Sequence, residues 1–510
     1  DRDGVVNMPK FDLLGIRNLT ILANAVALVK DIHGTEIDLN TIALDDAKTY
    51  KLLSSGATMG VFQMGSAGMT KYILDLQPSN IDEINAMIAL YRPGPMEFIP
   101  EYIDRKRNPE RVEYLDKRMK SILEPTYGII VYQEDVMMIA VQLASYTWGD
   151  ADKLRKAIGK KIPEMMAEQK DKLTSGCIAN GMDKKVAKEL WRQIEVFAAY
   201  AFNKSHAASY GRISYETAYM KANYPVEYMT AMLTAESGDT DKIAIIIHEC
   251  EKLGIKVLPP DINECFGGFT VIDHEGSPAI RFGFYTIKNF GEAIADAIIE
   301  ERKRAGKFAS LEGLLNRIRH KNFNKKSLEA LIMAGALDSF GKRGQLLKNL
   351  ESLLEYNKGQ KNMHADQSSL FGEVASHITL VDAPLMSMEE KLAMEKEILG
   401  VYVSGHPLEP FRERFDKSKH NIGMINSGEV FADEKIIIGG LLESIKEIST
   451  KKGQKMAFVT MTDLTGSIEA VVFPRTFEKN KEILQIDTIV AVQATVSDRD
   501  GEKSVIINGI

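Results

Sequence analysis

Residues 136–146, VMMIAVQLASY, and residues 187–200, AKELWRQIEVFAAY, repeat their apolar side chains with the period of an α-helix. The same spacing continues on both sides of them, from about residue 17 to about residue 255, and loops rich in Pro and Gly such as YRPGP at 91–95 interrupt it. These stretches predict that the first half of the chain is mainly helical. Because a chain of 510 residues is too long for one hydrophobic core, we expect several domains.

The second half of the chain has a different pattern. Residues 255–290 contain short apolar stretches that fit strands, residues 286–337 predict two pairs of helices, and a further helix is expected near 387–400. Residues 356–369, YNKGQKNMHADQSS, are polar and aperiodic, which is typical of a flexible linker. From residue 435 onward five β-rich runs follow at short spacing: KIIIGGLL, KMAFVTMT, GSIEAVVFP, DTIVAVQATV and KSVIIN.

The composition is that of an ordinary globular protein, with 45% hydrophobic residues, 26% charged residues and a net charge of −7. No apolar run approaches the roughly 20 residues that span a bilayer, so no membrane association is expected. Three scattered cysteines are too few for a disulfide framework or a four-ligand zinc site, and they indicate a reducing, cytoplasmic location. The chain starts with Asp1 and shows no leader, which suggests a fragment or a processed chain.

The segment KFDLLG places Lys10 and Asp12 on the same side of a strand, because side chains two residues apart share a face. A carboxylate beside an ammonium suits phosphoryl transfer, with Asp12 as a ligand of Mg²⁺ and Lys10 against phosphate oxygens. The spacing alone favours an ordinary surface ion pair. One Asp cannot hold two metal ions, and Asp1 and Asp3 look like part of a loop.

A second segment, DKLRKAIGKK at 152–161, gathers cations on a predicted helix. They are Lys153, Arg155, Lys156, Lys160 and Lys161. Side chains at spacings of three, four and seven share a helix face, so this cluster can neutralise a triphosphate or track a DNA backbone. A decorated helix surface is the simpler alternative.

A third segment, YAFNKSHAASYGRISYETAYMKANYP at 200–225, predicts a helix with Ser205 as its N-cap that ends before the final proline. Asn203, Lys204 and His206 would then gather at the N-terminus of this helix, which is a natural anion site. Because no partner nucleophile is evident, we interpret His206 as a positioning residue.

Taken together, these segments resemble one family, the alpha subunits of bacterial DNA polymerase III, which are the family C polymerases. The matching stretches follow the order of the family across nearly the whole chain: KFDLLGIRNLT, GVFQMGSAGM, YRPGP, PTYGIIVYQEDVM, DADKLRKAIGKK, FNKSHAASY, VLPPDIN, LEALIMAGALD and EKEILGVYVSGHPL. The resemblance implies template-directed DNA synthesis, in which dNTPs are joined to a primer 3′-hydroxyl by Mg²⁺-dependent nucleotidyl transfer. Each stretch alone is a weak signal, whereas the ordered series is highly specific.

The resemblance also assigns roles to individual residues. Asp12 matches the third catalytic carboxylate of the polymerase palm, and Lys10 matches the lysine beside it that contacts the triphosphate. The implied nucleotide-binding residues of the fingers are Arg155, Lys156, Lys160, Lys161, Asn203, Lys204 and His206. The first two catalytic aspartates of the family have no match in this sequence, so this chain alone is expected to be inactive. In GVFQMGSAGM, Gly65 stands where the resemblance predicts an acidic residue, so this stretch departs from the family pattern.

The expected fold class is multidomain and mainly α with α+β parts. The implied domains are the end of the palm (1–17), the helical fingers (18–270), a tandem helix-hairpin-helix region (271–350), a linker with a clamp-binding peptide (351–385), a helical connector (386–430) and a C-terminal OB-fold β-barrel (431–510).

Two stretches, IKNFGEAIADAIIEER at 287–302 and FNKKSLEALIMAGALD at 323–338, resemble helix-hairpin-helix motifs. In such motifs a tight hairpin points backbone N–H groups at a DNA phosphate. In the first stretch Asn289 replaces the usual first glycine of the hairpin. Residues 302–326 hold nine Lys or Arg against the single acid Glu312, which a plain helical hairpin would not predict. The implied DNA-binding residues are Asn289, Gly291, Lys325 and Lys326.

The polar linker contains QSSLFG, a pattern that is weak alone but sits where the family carries its sliding-clamp peptide. Leu370 and Phe371 would fill an apolar pocket of the clamp, and the Gln367 amide would fix their orientation. The five β runs resemble an OB-fold, which often binds single strands. Phe458 and Phe473 are either stacking platforms or core residues, and the usual burial of aromatic residues favours the core.

The implied partners are primer-template DNA, dNTPs, the sliding clamp, and further replicase subunits such as a proofreading exonuclease and a clamp loader. The alternative from another class is a non-catalytic module that binds DNA and tethers the clamp. An NAD-dependent DNA ligase also combines helix-hairpin-helix and OB-fold parts. It would need a K-x-D-G nucleophile motif and usually four zinc cysteines, and the sequence has neither.

Overall fold

The computed structural model describes residues 15–160, 163–198, 202–362, 378–450, 452–499 and 502–510. The chain divides into two compact units, of which the first ends at Ala235 and the second begins at Glu236. Within the described ranges, none of the helices combines the length and apolar character needed to cross a membrane.

The first unit is built from helices, as the apolar periodicity predicts. They are α1 (Arg17–His33), α2 (Ala47–Ser54), α3 (Ala67–Leu76), α4 (Ile81–Leu90), α5 (Ile99–Arg107), α6 (Lys120–Leu123), α7 (Gln133–Ala144), α8 (Trp148–Lys160), α9 (Pro163–Ala179), α10 (Lys184–Ala198), α11 (Lys204–Asn223) and α12 (Pro225–Ala235). Polar side chains start several of them: Asp46, Ser66 and Asn80 each accept a hydrogen bond from a backbone amide in the first turn of α2, α3 and α4.

Two separate apolar cores hold this unit together. The first core joins α2 to α5 with α11, and Tyr215 and Ala218 of α11 are fully buried in it. The second core lies among α6 to α10, where Trp191 and Leu143 are buried. The two helical stretches that start the sequence argument, α7 and α10, both contribute to this second core.

The second unit starts with helices and a small sheet. Its helices are α13 (Thr240–Lys252), α14 (Glu292–Ala305), α15 (Leu311–Arg317), α16 (Lys325–Met333), α17 (Arg343–Lys348), α18 (Leu350–Asn362), α19 (Met388–Leu399), α20 (Arg412–Asp416), α21 (Ile422–Ser427) and α22 (Pro474–Asn480). The small sheet has the order β1-β3-β2, from β1 (Val257–Leu258), β2 (Thr270–His274) and β3 (Ser277–Arg281). The helix predicted near 387–400 is therefore confirmed as α19.

The prediction of a linker over residues 356–362 is wrong, because α18 continues through them. The polar residue Asn357 belongs to the protein interior: its side-chain amide donates to the carbonyl oxygens of Leu315 at 2.6 Å and Ile318 at 3.0 Å. These two carbonyls lie at the end of α15, so a side chain that looks like linker composition closes that helix. Residues 363–377 lie outside the described ranges.

A buried ion pair fastens α17 to α19. The Arg343 guanidinium donates to the Glu395 carboxylate at 2.9 Å, and both side chains are almost fully buried. The same carboxylate accepts from the backbone amides of Val403 and Ser404 at 3.0 and 2.9 Å. Glu395, the first residue of the stretch EKEILGVYVSGHPL, thus joins the segment after α19 to α17.

The five β runs form a closed barrel, as predicted. Its strands are β4 (Lys435–Ser449), β5 (Lys455–Thr462), β6 (Ser467–Val472), β7 (Ile489–Arg499) and β8 (Glu502–Gly509), in the order β4-β5-β6-β8-β7. All neighbours are antiparallel except β6 and β8, which close the barrel in parallel. Ile422 and Ile425 of α21 also pack into the barrel core.

The expectation that both barrel phenylalanines are core residues is wrong for Phe473, whose side chain is 45% exposed. Phe473 is the N-cap of α22, and Phe477, one turn later, fills the core in its place. Phe458 is half-buried on β5, opposite Lys446 of β4 and Val471 of β6.

Candidate functional site

Several predicted site residues lie outside the described ranges. They are Lys10, Asp12, Lys161, Gln367, Leu370 and Phe371, and for Lys160 the backbone alone is described. Within the ranges that are described, no three or more His, Cys, Asp or Glu side chains form a group that could hold a metal ion. The predicted site residues that the structure does describe lie on α8, around the start of α11, in the hairpin before α14 and at the start of α16.

The helix α11 starts one residue after Asn203, so the N-cap prediction of Ser205 is wrong by two positions. The side-chain Oδ1 of Asn203 accepts from the His206 backbone amide at 2.9 Å, and the Ser205 hydroxyl, already inside the helix, donates to the same oxygen at 2.6 Å. Both residue types are good caps, and the fold selects Asn203. The helix ends at Asn223, as predicted.

A carboxylate from another helix occupies the N-terminus of α11. Glu134, in the first turn of α7, accepts from the Asn203 side-chain amide at 2.9 Å and from the Lys204 backbone amide at 2.8 Å. The Gln133 amide donates to the Phe202 carbonyl oxygen at 2.8 Å. The stretches PTYGIIVYQEDVM and FNKSHAASY are thus joined where their two helices begin, and the predicted anion site holds an internal anion.

Asp135 holds the α7 side of this junction. Its carboxylate accepts from the backbone amides of Val131 at 3.1 Å and Tyr132 at 2.9 Å. Burial raises the pKa of Asp135 to about 6 despite these two donors. On the surface above it, the Lys204 ammonium lies 5.4 Å from the centre of the Tyr132 ring.

A ladder of aromatic rings runs from the loop between α2 and α3, along the first turns of α11, to the residue before the N-cap of that helix. The rings of Phe62, Tyr210, His206 and Phe202 follow one another with centroid distances of 5.1, 4.3 and 5.5 Å. The Arg92 guanidinium covers the far end, 4.4 Å from the Phe202 centroid. His206 is exposed and the other three rings are half-buried. We call these five side chains the aromatic ladder, and such a surface can stack a planar base.

The basic cluster of α8 lies in the part of the fold that surrounds the second core. Arg155 and Lys156 share one acid: each places a side-chain nitrogen 2.8 Å from an oxygen of Asp152. Hydrogen bonds from Lys156 and Arg155 lower the pKa of Asp152. Lys153 is exposed one turn away. The side-by-side arrangement of these cations on one helix is therefore present, with Asp152 as their partner.

The hairpin before α14 shows what Asn289 does in place of glycine. Its φ angle is +65°, so this asparagine adopts the left-handed conformation that glycine takes most readily and that asparagine tolerates best among other residues. Gly291 follows as the N-cap of α14 with an extended backbone. The element before the hairpin is a single 3-10 turn, Phe284–Thr286.

The nine cations of 302–326 are not one open patch. Arg302 is buried, and its guanidinium donates to the carbonyl oxygens of Ile262 and Cys265. Arg317 is partly buried and pairs with Glu301, which Arg304 also contacts. The exposed cations are Lys303, Arg304, Lys307, Arg319, Lys321, Lys325 and Lys326, and Lys325 pairs with Glu351 at 3.2 Å.

Comparisons with known proteins agree with these three regions. Residues 18–181 match the bacterial DNA polymerase III alpha subunit finger domain, residues 254–346 match the helix-hairpin-helix motif, and residues 436–510 match the OB-fold nucleic acid binding domain. The chain is 42% identical over 495 residues to the DNA polymerase III subunit alpha of Thermus aquaticus, a match that covers 96% of this chain and 40% of that protein. Over nearly its whole length, the chain is similar to the alpha subunits of bacterial DNA polymerase III.

Other relatives of the same name are similar to a comparable extent. The protein of Aquifex aeolicus is 41% identical over 493 residues, and that of Mycobacterium tuberculosis strain H37Rv is 39% identical over 522 residues. They cover 96% and 99% of this chain. The chain spans about two fifths of the length of the DNA polymerase III alpha subunits that it matches.

The aromatic ladder of this chain was not predicted from its sequence. Arg92, Phe62 and Tyr210 lie in three of the stretches that carry the family resemblance, but they are far apart along the chain. Neither helical nor strand periodicity relates residues at such separations. A signal was nevertheless present, because these stretches place Phe62 and Arg92 in loops and Phe202 just before a helix.

Proposed function

We propose that this chain is part of the catalytic alpha subunit of a bacterial DNA polymerase III, which joins dNTPs to a primer 3′-hydroxyl under the direction of a template. The observation that carries the proposal is the similarity to named alpha subunits over 96% of the chain at about 42% identity. The match of residues 18–181 to the finger domain of that subunit supports the same assignment.

In this proposal the residues of the chain bind and orient the triphosphate. Asp12, together with the family's two further catalytic carboxylates, would hold Mg²⁺, and the bound ion would neutralise negative charge at the reacting phosphate. Lys10 contacts the triphosphate beside it. Arg155 and Lys156 exchange Asp152 for phosphate oxygens, because a polyanion offers them more charge than one shared carboxylate does.

The first turn of α11 supplies the other proposed nucleotide-binding residues. Glu134 fixes Asn203 and the Lys204 backbone, so the Lys204 ammonium and the His206 ring are held at the surface. His206 stands in the middle of the aromatic ladder, where a ring suits stacking better than proton transfer. We therefore assign Asn203, Lys204 and His206 to positioning.

The catalytic assignment of Asp12 is tested in a longer chain that also carries the family's two upstream aspartates. Asp12→Ala should lower primer extension with Mg²⁺ by more than about a thousandfold, because a metal ligand is lost. The control is Asp31→Ala, which removes an exposed carboxylate near the end of α1 and should leave extension unchanged. Extension that survives Asp12→Ala would sink the assignment. The 510-residue chain alone should bind DNA without extending a primer.

We further propose that the segment with Gln367, Leu370 and Phe371 binds the sliding clamp of the replicase. The resemblance of QSSLFG to the family's clamp peptide supports this, together with its place between the helix-hairpin-helix match and the OB-fold match. Tethering makes even a weak peptide useful, because clamp and polymerase share one DNA. A proofreading exonuclease and a clamp loader belong to the same proposal.

A further inference from the structure

A groove of about 750 Å³ runs along the outer wall of the barrel, between β4, β7 and the segment that joins α20 to α21. Its floor is the outward face of two neighbouring strands, where Ile437 pairs with Gln493 and Lys435 with Thr495. Phe458, the half-buried aromatic of the barrel, lies on β5 and does not line this groove. We call this feature the barrel groove.

The barrel groove is cationic in a chain whose net charge is −7. Lys419 and Lys435 line it and are exposed, and neither has an ion-pair partner within the described ranges. His420 also lines it, but its Nε2 lies 3.5 Å from the Glu434 carboxylate. The lining residues include no Asp or Glu. The charge of the groove therefore favours an anionic group.

One large apolar side chain is exposed on the floor of the barrel groove, Ile437, which is 62% exposed. A second, Phe431, is 74% exposed in the turn that leads into β4, outside the lining of the groove. Backbone hydrogen bonds hold that turn in place, since the Asp433 amide donates to the Val496 carbonyl oxygen at 2.9 Å. Rigidly presented apolar side chains gain from burial against an apolar partner group.

Neutral hydrogen-bonding groups complete the lining. The side-chain NH₂ group of Asn508 donates to the Thr495 hydroxyl at 2.8 Å. This bond holds the Asn508 side chain in place, so its amide oxygen Oδ1 points in a fixed direction. Gln493, which lies opposite Ile437 on β7, is exposed on the same face. Amide side chains offer both donors and acceptors, which suits the backbone of an extended peptide.

We propose that the barrel groove docks a short acidic segment of a partner protein. Carboxylates of the segment pair with Lys419 and Lys435, and an apolar side chain packs against Ile437. This inference goes beyond the proposed polymerase function and does not depend on it. The proposed partner is a protein segment, whereas the OB-fold match of the barrel concerns nucleic acid.

The charge around the barrel groove decides for a peptide over a nucleic acid strand. The approach to β4 carries Glu429, Asp433 and Glu434, so the cationic surface ends within a few residues of Lys435. A phosphate backbone longer than the groove would pass these carboxylates. A peptide can place its acidic residues only where the lysines are.

The test uses the full chain with a fluorescent label beside the groove. Ala491→Cys introduces an exposed thiol on β7, and labelling is selective because Cys177, Cys250 and Cys265 are buried. The probe is a synthetic peptide of about ten residues, rich in Asp and Glu around one Phe and one Leu. Matched probes replace the acids by Lys, or the apolar pair by Ser, and a thymidine oligonucleotide of about the same length is the competitor.

The acidic peptide with its apolar pair should give a saturable change of fluorescence. Lys419→Glu with Lys435→Glu should weaken binding at least about tenfold, and Ile437→Ser about fivefold or more. The controls Lys446→Glu and Phe473→Ser, which alter a cation and an exposed ring elsewhere on the barrel, should leave binding unchanged. The proposal is overturned if no peptide saturates, if the matched probes bind equally, or if the oligonucleotide displaces the peptide at lower concentration.

Discussion

At the scale of single residues, Asp135 connects the folding free energy of the first unit to pH. Burial raises the pKa of its carboxyl to about 6 from an ordinary value of 3.8. A carboxyl whose folded pKa is raised stabilises the fold fully below the unfolded pKa, and this contribution is lost as pH rises through the folded pKa. The relevant window is therefore about pH 4 to about pH 7.

We expect Asp135→Asn to remove this titration while keeping the shape of the side chain. Between about pH 4 and about pH 7 the free energy of unfolding of the unchanged chain should fall, relative to that of the variant, by about 1–3 kcal/mol. Urea unfolding followed by tryptophan fluorescence measures it, because the chain has two Trp and Trp191 is buried in the second core. The control is Asp171→Asn, an exposed carboxylate of α9. Parallel pH profiles for Asp135→Asn and the unchanged chain would contradict the role of Asp135.

At the scale of elements, the crossing of α7 and α9 depends on Gly176. A Cβ atom at this position would lie 2.5 Å from the backbone carbonyl oxygen of Ala144, at the end of α7. A backbone atom in a packed core cannot move aside as a flexible side chain can. The two helices therefore approach one another more closely here than any side chain at position 176 allows.

Gly176→Ala should lower the free energy of unfolding by about 1–2 kcal/mol, because the cost of overpacking exceeds the gain in helix propensity. Gly159→Ala is the matched control in α8, where an added Cβ meets no atom within 4 Å. That substitution should raise stability by up to about 1 kcal/mol. Tryptophan fluorescence during urea unfolding reports both, and a stable Gly176→Ala chain would refute the close approach.

The elements also show which predictions the sequence could support. The helix α19 and the five barrel strands follow from local periodicity, because each buries one face and the pattern repeats within the element. The first turn of α11 was misplaced by two residues, because Asn203 and Ser205 are both good N-caps and the choice depends on Glu134, about 70 positions away. Asn357 has the polar character of a linker, and its burial follows from carbonyl groups in another helix.

At the scale of the whole molecule, some candidate-site residues are close together in the sequence, whereas others are brought together only by the fold. The cations of α8 were predictable from helical spacing, whereas the shared partner Asp152 was not singled out. The aromatic ladder required the fold, because Phe62, Arg92 and His206 come from three separate stretches. The catalytic pair Lys10 and Asp12 and the clamp peptide remain predictions from the family resemblance.

The proposed tether to the clamp is a property of the whole chain. Leu370→Ala with Phe371→Ala should weaken binding to the purified clamp by about thirtyfold or more, since apolar anchors dominate such interfaces. Surface plasmon resonance measures this, and extension of short, clamp-independent templates by the longer chain should not change. The control is Leu385→Ala, an exposed apolar residue outside the motif. Equal clamp binding by the double variant would refute the assignment.

The parallel contact between β6 and β8 has a consequence for synthesis of the protein on the ribosome. On the edge of β6 that faces away from β5, Glu469, Ala470 and Val471 pair with Ser504, Val505 and Ile506, more than thirty residues later. Until β8 has emerged, both β6 and β7 present an unpaired edge that can join another strand. The barrel is therefore the last part of the described chain whose strand edges become paired. A pause in translation shortly before residue 502 would prolong the time during which β6 and β7 can aggregate through these edges.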